Sequence, residues 1–142
     1  MSSARAAFGT LLKIGDGGGT EVFTTIAEVK DISGPSISVE TIEVTNHDSS
    51  GARKEFIVSL IEMGEVSFDL NFYAGTTQGF SGGLYNDMIN RTLRNFQLVI
   101  PTSPAKTGAF AAFIISWKLS APVGDVLSVA ATLKITGAVT WT

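Results

Sequence analysis

The stretch EVSFDLNFY, residues 65–73, is the segment of the sequence that most clearly indicates the fold. Apolar and polar side chains alternate along it, with Val66, Phe68, Leu70 and Phe72 on one side and Glu65, Ser67, Asp69 and Asn71 on the other. Because successive side chains of a strand point to opposite faces, this alternation predicts a β-strand with one buried and one solvated face. Residues 127–136 alternate in the same way and predict a second such strand.

The rest of the chain also reads as strands separated by turns. Runs rich in Val, Ile, Thr and Phe lie between clusters of Gly, Pro, Ser and Asp. The glycine-rich turn at residues 15–19 predicts a hairpin between residues 11–14 and 21–29. Further strands are predicted at residues 37–44, 93–100 and 109–119, the last of them apolar on both faces.

A single helix is predicted, directly after Ser81-Gly82-Gly83. Ser81 is a candidate N-cap. Apolar residues then recur at the three- and four-residue spacing of one helical stripe, while the opposite side is polar; the stripe is Leu84, Tyr85, Met88 and Ile89, and the polar side is Asn86, Asp87, Asn90 and Arg91. The predicted fold class is therefore mainly β with one helix that packs on a sheet.

The composition of the chain favours an assembled protein over a monomer. The 142 residues suit one domain, residues 1–142, and the chain is 44% hydrophobic but only 16% charged, against about 25% in an average soluble domain. A surface with so little charge fits burial against partner subunits, although a compact monomer could share it. No apolar run approaches the ~20 residues of a membrane helix, and no secretory signal is visible, so we expect synthesis in the cytoplasm and no membrane partner.

The sequence offers little for catalysis or cofactor binding. It contains no cysteine and one histidine, which leaves a transition-metal site short of ligands, and we predict no cofactor. His47, Asp48 and Ser49 are the residue types of a hydrolytic triad, but neighbours in a polar loop rarely converge as a triad must. A net charge of −3 argues against a surface that binds nucleic acid by neutralising phosphates. The chain is therefore not expected to be an enzyme.

A long polar loop, residues 45–56, is the least ordinary feature of the chain. Loops of this length without their own structure are uncommon inside compact domains and are often functional or disordered. The candidate interaction residues in it are Asn46, His47, Asp48, Ser49, Ser50, Arg53, Lys54 and Glu55. The alternative is that these residues form only a solvated hairpin tip.

The order of segments around this loop resembles a known family, the major tail tube proteins of phages with long non-contractile tails and of phage-derived gene transfer agents. The resemblance is carried by TIEVTNHDSSGARKEFIVSLIEMGEVSFDLNFY, residues 41–73. It is supported by GTLLKIGDGGGTEVFTTIAEVKDISGP, residues 9–35, and by VGDVLSVAATLKITGAVTWT, residues 123–142. Together these segments cover most of the chain.

The resemblance implies a β-sandwich or barrel-like tail tube fold, and rings of six copies that stack into a tube. DNA would pass through the lumen without specific binding. The expected partners are further copies of the chain together with tape-measure, tail-terminator and distal tail proteins. The expected location is the tail of a virion or gene transfer agent made in a bacterial cytoplasm. The rival function is a small monomeric ligand-binding β-sandwich.

In a tube of this kind, particular segments have expected roles. The loop at residues 45–56 becomes an arm that is ordered on contact with the next ring, with Arg53, Lys54 and Glu55 as candidates for ion pairs between subunits. The N-terminal segment, residues 1–8, would gain order in the tube. Glu65 and Asp69, on the polar face of one strand, are candidates for lining the lumen, where acidic groups repel DNA. An ordinary solvated face is the alternative for these two residues.

Overall fold

A computed structural model describes residues 2–72 and 83–142. In these residues the chain forms nine strands and one helix, which confirms the mainly β prediction. A 3₁₀ turn, Ser50–Ala52, lies between the fourth and fifth strands. The elements are β1 Leu11–Gly15, β2 Phe23–Thr25, β3 Val29–Ser33, β4 Ser38–Glu43, β5 Phe56–Glu62, β6 Glu65–Asn71, α1 Leu84–Ile89, β7 Arg94–Ile100, β8 Lys106–Ser120 and β9 Ser128–Trp141.

Seven of the described strands form one antiparallel sheet, in the order β2-β1-β7-β8-β9-β6-β3. The two outermost strands, β2 and β3, are consecutive in the chain and are joined by only three residues, 26–28. The backbone of this link bonds in both directions: the Ile26 N–H donates to the Leu12 carbonyl at 2.9 Å, and the Asn71 N–H donates to the Glu28 carbonyl at 3.0 Å. The sheet therefore curls until its two edge strands, β2 and β3, meet. We call this closed sheet the barrel.

The interior of the barrel is filled by the alternating apolar residues of its strands. The β6 alternation is confirmed, since Val66, Phe68 and Leu70 are buried whereas Glu65, Ser67 and Asp69 are exposed. Phe96 of β7 stacks on Phe110 of β8, with ring centroids 5.8 Å apart. The buried core is completed by Leu12, Ile14, Ile26, Leu84, Leu98, Ala112, Ile114, Val129, Ala131, Leu133 and Ile135. Full burial of each large apolar side chain stabilises the folded chain by about 1.5–3 kcal/mol.

The helix packs against β8, as expected. Tyr85 meets Trp117 edge to face, with ring centroids 5.0 Å apart, and Leu84 is buried in the core. Ile89, predicted to belong to the apolar stripe, is instead exposed, because the helix ends at this residue. Gly83 occupies the N-cap position, while Ser81 lies outside the described residues.

The last two strands are longer than their sequence patterns predict. β9 continues to Trp141, five residues beyond the predicted end at residue 136. Its pairing with β8 shifts register there, from Ala111 opposite Thr136 to Ala109 opposite Thr140. Gly137 has a φ of 81°, a value that favours glycine, so a bulge interrupts the alternation and hides the rest of the strand from pattern analysis.

Candidate assembly surface

The fourth and fifth strands leave the barrel and pair only with each other. β4 and β5 form a separate two-stranded antiparallel sheet, in which Val39 lies opposite Ile61 and Ile42 lies opposite Ile57. Every residue of both strands is exposed. We call residues 37–62 the arm.

The arm carries large apolar side chains on both of its faces. The pairs Val39–Ile61 and Ile42–Ile57 point to opposite faces, because residues 39 and 42 are separated by an odd number of positions on β4, while a register shift between the pairs adds one residue on β5. The exposed large apolar residues of the arm are Ile37, Val39, Ile42, Val44, Phe56, Ile57, Val58, Leu60 and Ile61. A lone two-stranded hairpin is at best marginally stable in water, and contiguous exposed apolar surface marks a site of interaction. The composition of the arm is therefore typical of a surface that is buried against a partner.

The predicted polar loop is the tip of this arm, and it ends at Phe56, where β5 begins. Its side chains bond to one another and to the backbone. The Asn46 side-chain oxygen accepts from the Asp48 N–H at 2.8 Å, and the Ser49 hydroxyl donates to Glu55 Oε2 at 2.6 Å. The Glu55 N–H donates to the Thr45 hydroxyl at 2.8 Å. The tip is thus already shaped within one chain, so contact with a partner requires less ordering than an unstructured loop would.

The other predicted tip residues face solvent. His47, Ser50, Arg53 and Lys54 are exposed, and so are available for contact with another subunit. The triad alternative gains no support, because the Ser49 hydroxyl donates to Glu55 and not to His47.

The arm leaves the barrel through a tight crossing of two chain segments. A Cβ atom on Gly64 would lie 2.1 Å from the carbonyl oxygen of Ser36, and one on Gly34 would lie 2.3 Å from that of Glu65. Both glycines also have positive φ, 75° and 114° respectively. Only glycine satisfies both conditions, so the backbone itself sets where the arm begins.

An ion pair ties the arm to the barrel beside this crossing. Lys134 of β9 donates a hydrogen bond to Glu62, the last residue of β5. The hydrogen bond and the positive charge lower the pKa of Glu62, and the same hydrogen bond raises the pKa of Lys134. Both side chains remain partly exposed, so solvent screens the attraction.

A groove opens between the base of the arm and β9, with a volume of about 530 Å³. One wall is formed by Leu60 and Ile61 of the arm and by Met63, which directly follows the arm; the other is formed by the bulged part of β9 from Ile135 to Ala138, with Glu40 also lining the groove. We call this the root groove. It is mostly apolar, and no described part of the chain fills it.

The two lumen candidates lie on the outer face of β6, and the structure gives each its neighbours. Glu65 is opposite Lys134, whose charge faces it, and Asp69 is opposite Ala130. Between them runs a row of hydroxyl side chains across four strands, Ser33, Ser67, Thr132 and Ser116. The face is therefore polar, with one acidic residue next to a lysine and one next to an alanine.

A buried polar cluster between α1 and β7 was not predicted from the sequence. Asp87 was expected on the solvated side of the helix but is only 2% exposed, and it accepts a hydrogen bond from Arg94 at 3.0 Å. The same guanidinium donates to the Asp16 carbonyl at 3.0 Å, which ties the glycine-rich turn to α1 and β7. Asp87 is buried, against the prediction, because the guanidinium of Arg94 compensates its negative charge inside the fold. The sequence signal for this pairing was an arginine at the start of the strand that follows the helix.

The turn held by Arg94 is shaped by its own carboxylate. Asp16 Oδ1 accepts from the Gly18 N–H at 2.9 Å and from the Val22 N–H at 3.3 Å. These bonds lower the pKa of Asp16, because they favour its charged form. The carboxylate closes a hairpin turn, which is the role that the sequence predicted for this segment.

In residues 2–72 and 83–142, no three His, Cys, Asp or Glu side chains come together in an arrangement that could hold a metal ion. Across these ranges the structure contains no helix with the length and apolar character needed to span a bilayer.

Solved structures share this architecture over nearly the whole chain. A protein in the tail of an empty gene transfer agent particle, refined with C6 symmetry, is 22% identical with a TM-score of 0.77, and the match covers 98% of this chain and 99% of that one. A protein from an extracellular contractile injection system, at its sheath/tube terminator, is 15% identical with a TM-score of 0.70 and coverage of 100% and 99%. The SPP1 tail tube protein is 10% identical with a TM-score of 0.62 and coverage of 90% and 73%.

The family itself is shown by sequence. No curated protein matches the chain significantly. The family model described as "Lambda phage tail tube protein, TTP" matches residues 16–142, which include the arm and every described strand of the barrel except β1. This match decides for a structural role over the alternative of a monomeric ligand-binding module. The chain belongs to the lambda phage tail tube protein family, and its role is that of a structural tail tube subunit.

Proposed function

We propose that this chain assembles into six-membered rings that stack into a tail tube, and that the arm of each copy reaches the neighbouring ring. The observation that carries the proposal is the arm itself, which exposes apolar side chains on both faces while the barrel has its own filled core. The six-fold symmetry is supported by the likeness to the tail that was refined with C6 symmetry.

The arm suits a contact that repeats along an axis. A head-to-tail contact that joins one surface of a copy to a different surface of the next does not close on itself, and it therefore builds a filament. Burial of the apolar faces in such a contact supplies the driving force, at about 25 cal/mol per Å² of apolar surface. The exposed tip residues His47, Arg53 and Lys54 then add polar contacts around this apolar centre.

The lumen is proposed to be lined by the outer face of β6, with Glu65 and Asp69 towards passing DNA. A basic lining would hold DNA through its phosphates, whereas this face has acidic and hydroxyl side chains. Lys134 beside Glu65 lowers the net negative charge, so the face repels DNA weakly and offers no strong binding site.

The ends of the tube require other partners. The repeating contact leaves one unoccupied arm surface and one unoccupied acceptor surface at the two ends, which tail-terminator and distal tail proteins would cover. A tape-measure protein would occupy the lumen before DNA enters. These are structural roles, so we infer that the chain has no enzymatic activity.

Substitution of one exposed apolar arm residue tests the proposal. We expect Val58→Asp to abolish tubes, as seen by electron microscopy of the purified protein, because it places a charge in a surface that must be buried. Val123→Asp is the matched control, since Val123 is fully exposed but lies outside the arm. Tubes from Val58→Asp that match the wild type in length and number would exclude the arm as the contact between rings.

A further inference from the structure

The root groove has the size and the lining of a binding site for an apolar side chain, and no described residue of the same chain occupies it. Its walls are mainly apolar, from Leu60, Ile61, Met63 and Ile135. The bulge of β9 at Gly137 forms part of its wall, and β-bulges are common beside functional sites. A volume of about 530 Å³ falls within the 300–1,000 Å³ of typical binding pockets, enough for a large side chain and the backbone that carries it.

The negative charge at the root groove favours some binding segments over others. Glu40 and Glu62 both line it, and Lys134 already engages Glu62. Glu40 has no ion-pair partner among the described residues. An incoming segment with a basic residue near an apolar one would therefore be favoured, and one with an acidic residue would be repelled.

Because the family is one of self-assembling subunits, the first source of an occupant is a second copy of the chain. Two of its exposed segments fit poorly. The tip of the arm, residues 45–55, has no large apolar side chain. The turn between β8 and β9 exposes Val123 and Val126 but also carries Asp125, which the acidic groove would repel.

The N-terminal segment meets both requirements. Phe8 is 95% exposed, which makes it one of the most exposed large apolar side chains described. Arg5 lies three residues before it, and residues 1–15 contain no acidic residue. The segment forms no strand, and its described hydrogen bonds are local, from the Ala4 N–H to the Ser2 hydroxyl and from Thr10 to the Ala7 carbonyl. It can therefore reshape at little cost.

We propose that residues 2–8 of one copy dock into the root groove of another, with Phe8 in the apolar part and Arg5 facing Glu40. The contact joins two unlike surfaces, so it repeats from copy to copy together with the arm contact. The inference rests on the proposed self-assembly and adds the identity of the segment that fills this groove.

Disulfide trapping between copies tests the contact directly, since the natural sequence contains no cysteine. Chains with Ala7→Cys, which keeps Phe8, are mixed with chains with Ala138→Cys, allowed to assemble, and oxidised. We expect a disulfide-linked dimer on a non-reducing gel. The comparison uses Val123→Cys in place of Ala7→Cys, and a cross-link from that pair alone would assign the groove to the β8–β9 turn and overturn the proposal.

Two sets of variants test the energetics. Phe8→Ala should unfold like the wild type but need at least about a tenfold higher concentration to form tubes, the effect expected from losing one buried aromatic side chain, while Phe8→Trp should assemble. Arg5→Glu and Glu40→Arg should each weaken assembly, and their combination should recover it.

The outcomes separate the two proposals. A wild type that forms no tube at any concentration contradicts the proposed function and the docking contact with it. Wild-type tubes that give no Ala7–Ala138 cross-link, with normal tubes from Phe8→Ala, overturn the docking contact alone.

Discussion

Strands β5 and β6 follow one another in the chain with only Met63 and Gly64 between them, yet they bury their apolar residues in different ways. β6 alternates, and its Val66, Phe68 and Leu70 fill the barrel. β5, with the sequence FIVSLIE, is apolar on both faces and exposed along its whole length. The first strand contributes to the core of its own chain, and the second is suited to a core that forms only between chains.

The difference teaches that apolar content alone does not show where a strand is buried. A run that is apolar on both faces is usual for a strand covered on two sides. In this chain the barrel covers neither side of β5. We therefore expect other copies of the chain to cover it. The contrast leads to four predictions. Three concern the free energy of unfolding of the unassembled protein, and the fourth concerns the pKa of Glu62.

The largest effect is expected in β6. Leu70→Ala removes a fully buried side chain and leaves a cavity, which typically costs 2–5 kcal/mol for a leucine, so about that loss of stability is expected. Chemical denaturation of the monomer measures it. A loss below about 0.5 kcal/mol would mean that β6 is not part of the core.

A smaller loss is expected at the buried ion pair. Asp87→Ala removes the acceptor of the Arg94 hydrogen bond and leaves a partly buried guanidinium without this partner, at a cost of about 1–3 kcal/mol. Asp69→Ala is the matched control, since Asp69 is exposed and should change stability by no more than about 0.5 kcal/mol. Equal losses in the two variants, measured by denaturation, would contradict the structural role of Asp87.

In the arm, the same change as in β6 should hardly affect the monomer. Leu60→Ala alters an exposed side chain, so its effect on unfolding should stay within about 0.5 kcal/mol, whereas tube formation should fall. Denaturation and electron microscopy of one preparation give both readings. If Leu60→Ala destabilised the monomer as much as Leu70→Ala, the division between the two strands would be wrong.

The weakest effect is the pH dependence of the ion pair between arm and barrel. The pKa of Glu62 lies below its ordinary value of 4.5 in the folded chain, so the pair stabilises the arm above that value and is lost as pH falls through the lowered pKa. The pKa of Lys134 is raised above 10.5, so the pair persists below that value and is lost as pH rises through the raised pKa.

An NMR titration of the Glu62 carboxyl group measures this coupling. In a Lys134→Met variant the pKa of Glu62 should rise towards 4.5, because its hydrogen-bond donor and its neighbouring charge are removed. An unchanged titration curve would show that the ion pair does not hold the base of the arm.

The sequence predicted the elements that depend on local patterns. Alternation at residues 65–71 and the glycine-rich turn gave β6 and the first hairpin, because one buried face leaves a direct trace in the residue order. The family resemblance gave the assembly. The polar loop lies between β4 and β5, and its internal hydrogen bonds, such as Ser49 to Glu55, depend on rotamers that the residue order does not specify.

Features that depend on long-range contacts were not predictable. The burial of Asp87 needs Arg94 and the Asp16 carbonyl, and the extension of β9 past Gly137 needs the register of β8. The protrusion of β4 and β5 from the barrel was likewise not visible, since residues 56–61 look like those of any buried strand. Each case requires knowledge of what lies beside the segment in space.

The glycine crossing at the base of the arm has a consequence for the shape of any structure built from many copies. Because Gly34 and Gly64 pass so close to the opposing backbone, the crossing leaves little room for the arm to change direction, and we expect the same direction in every subunit. A small angular error at each step would add up over many repeats and bend a long fibre. Two residues without side chains therefore bear on the straightness of an object far larger than the chain itself.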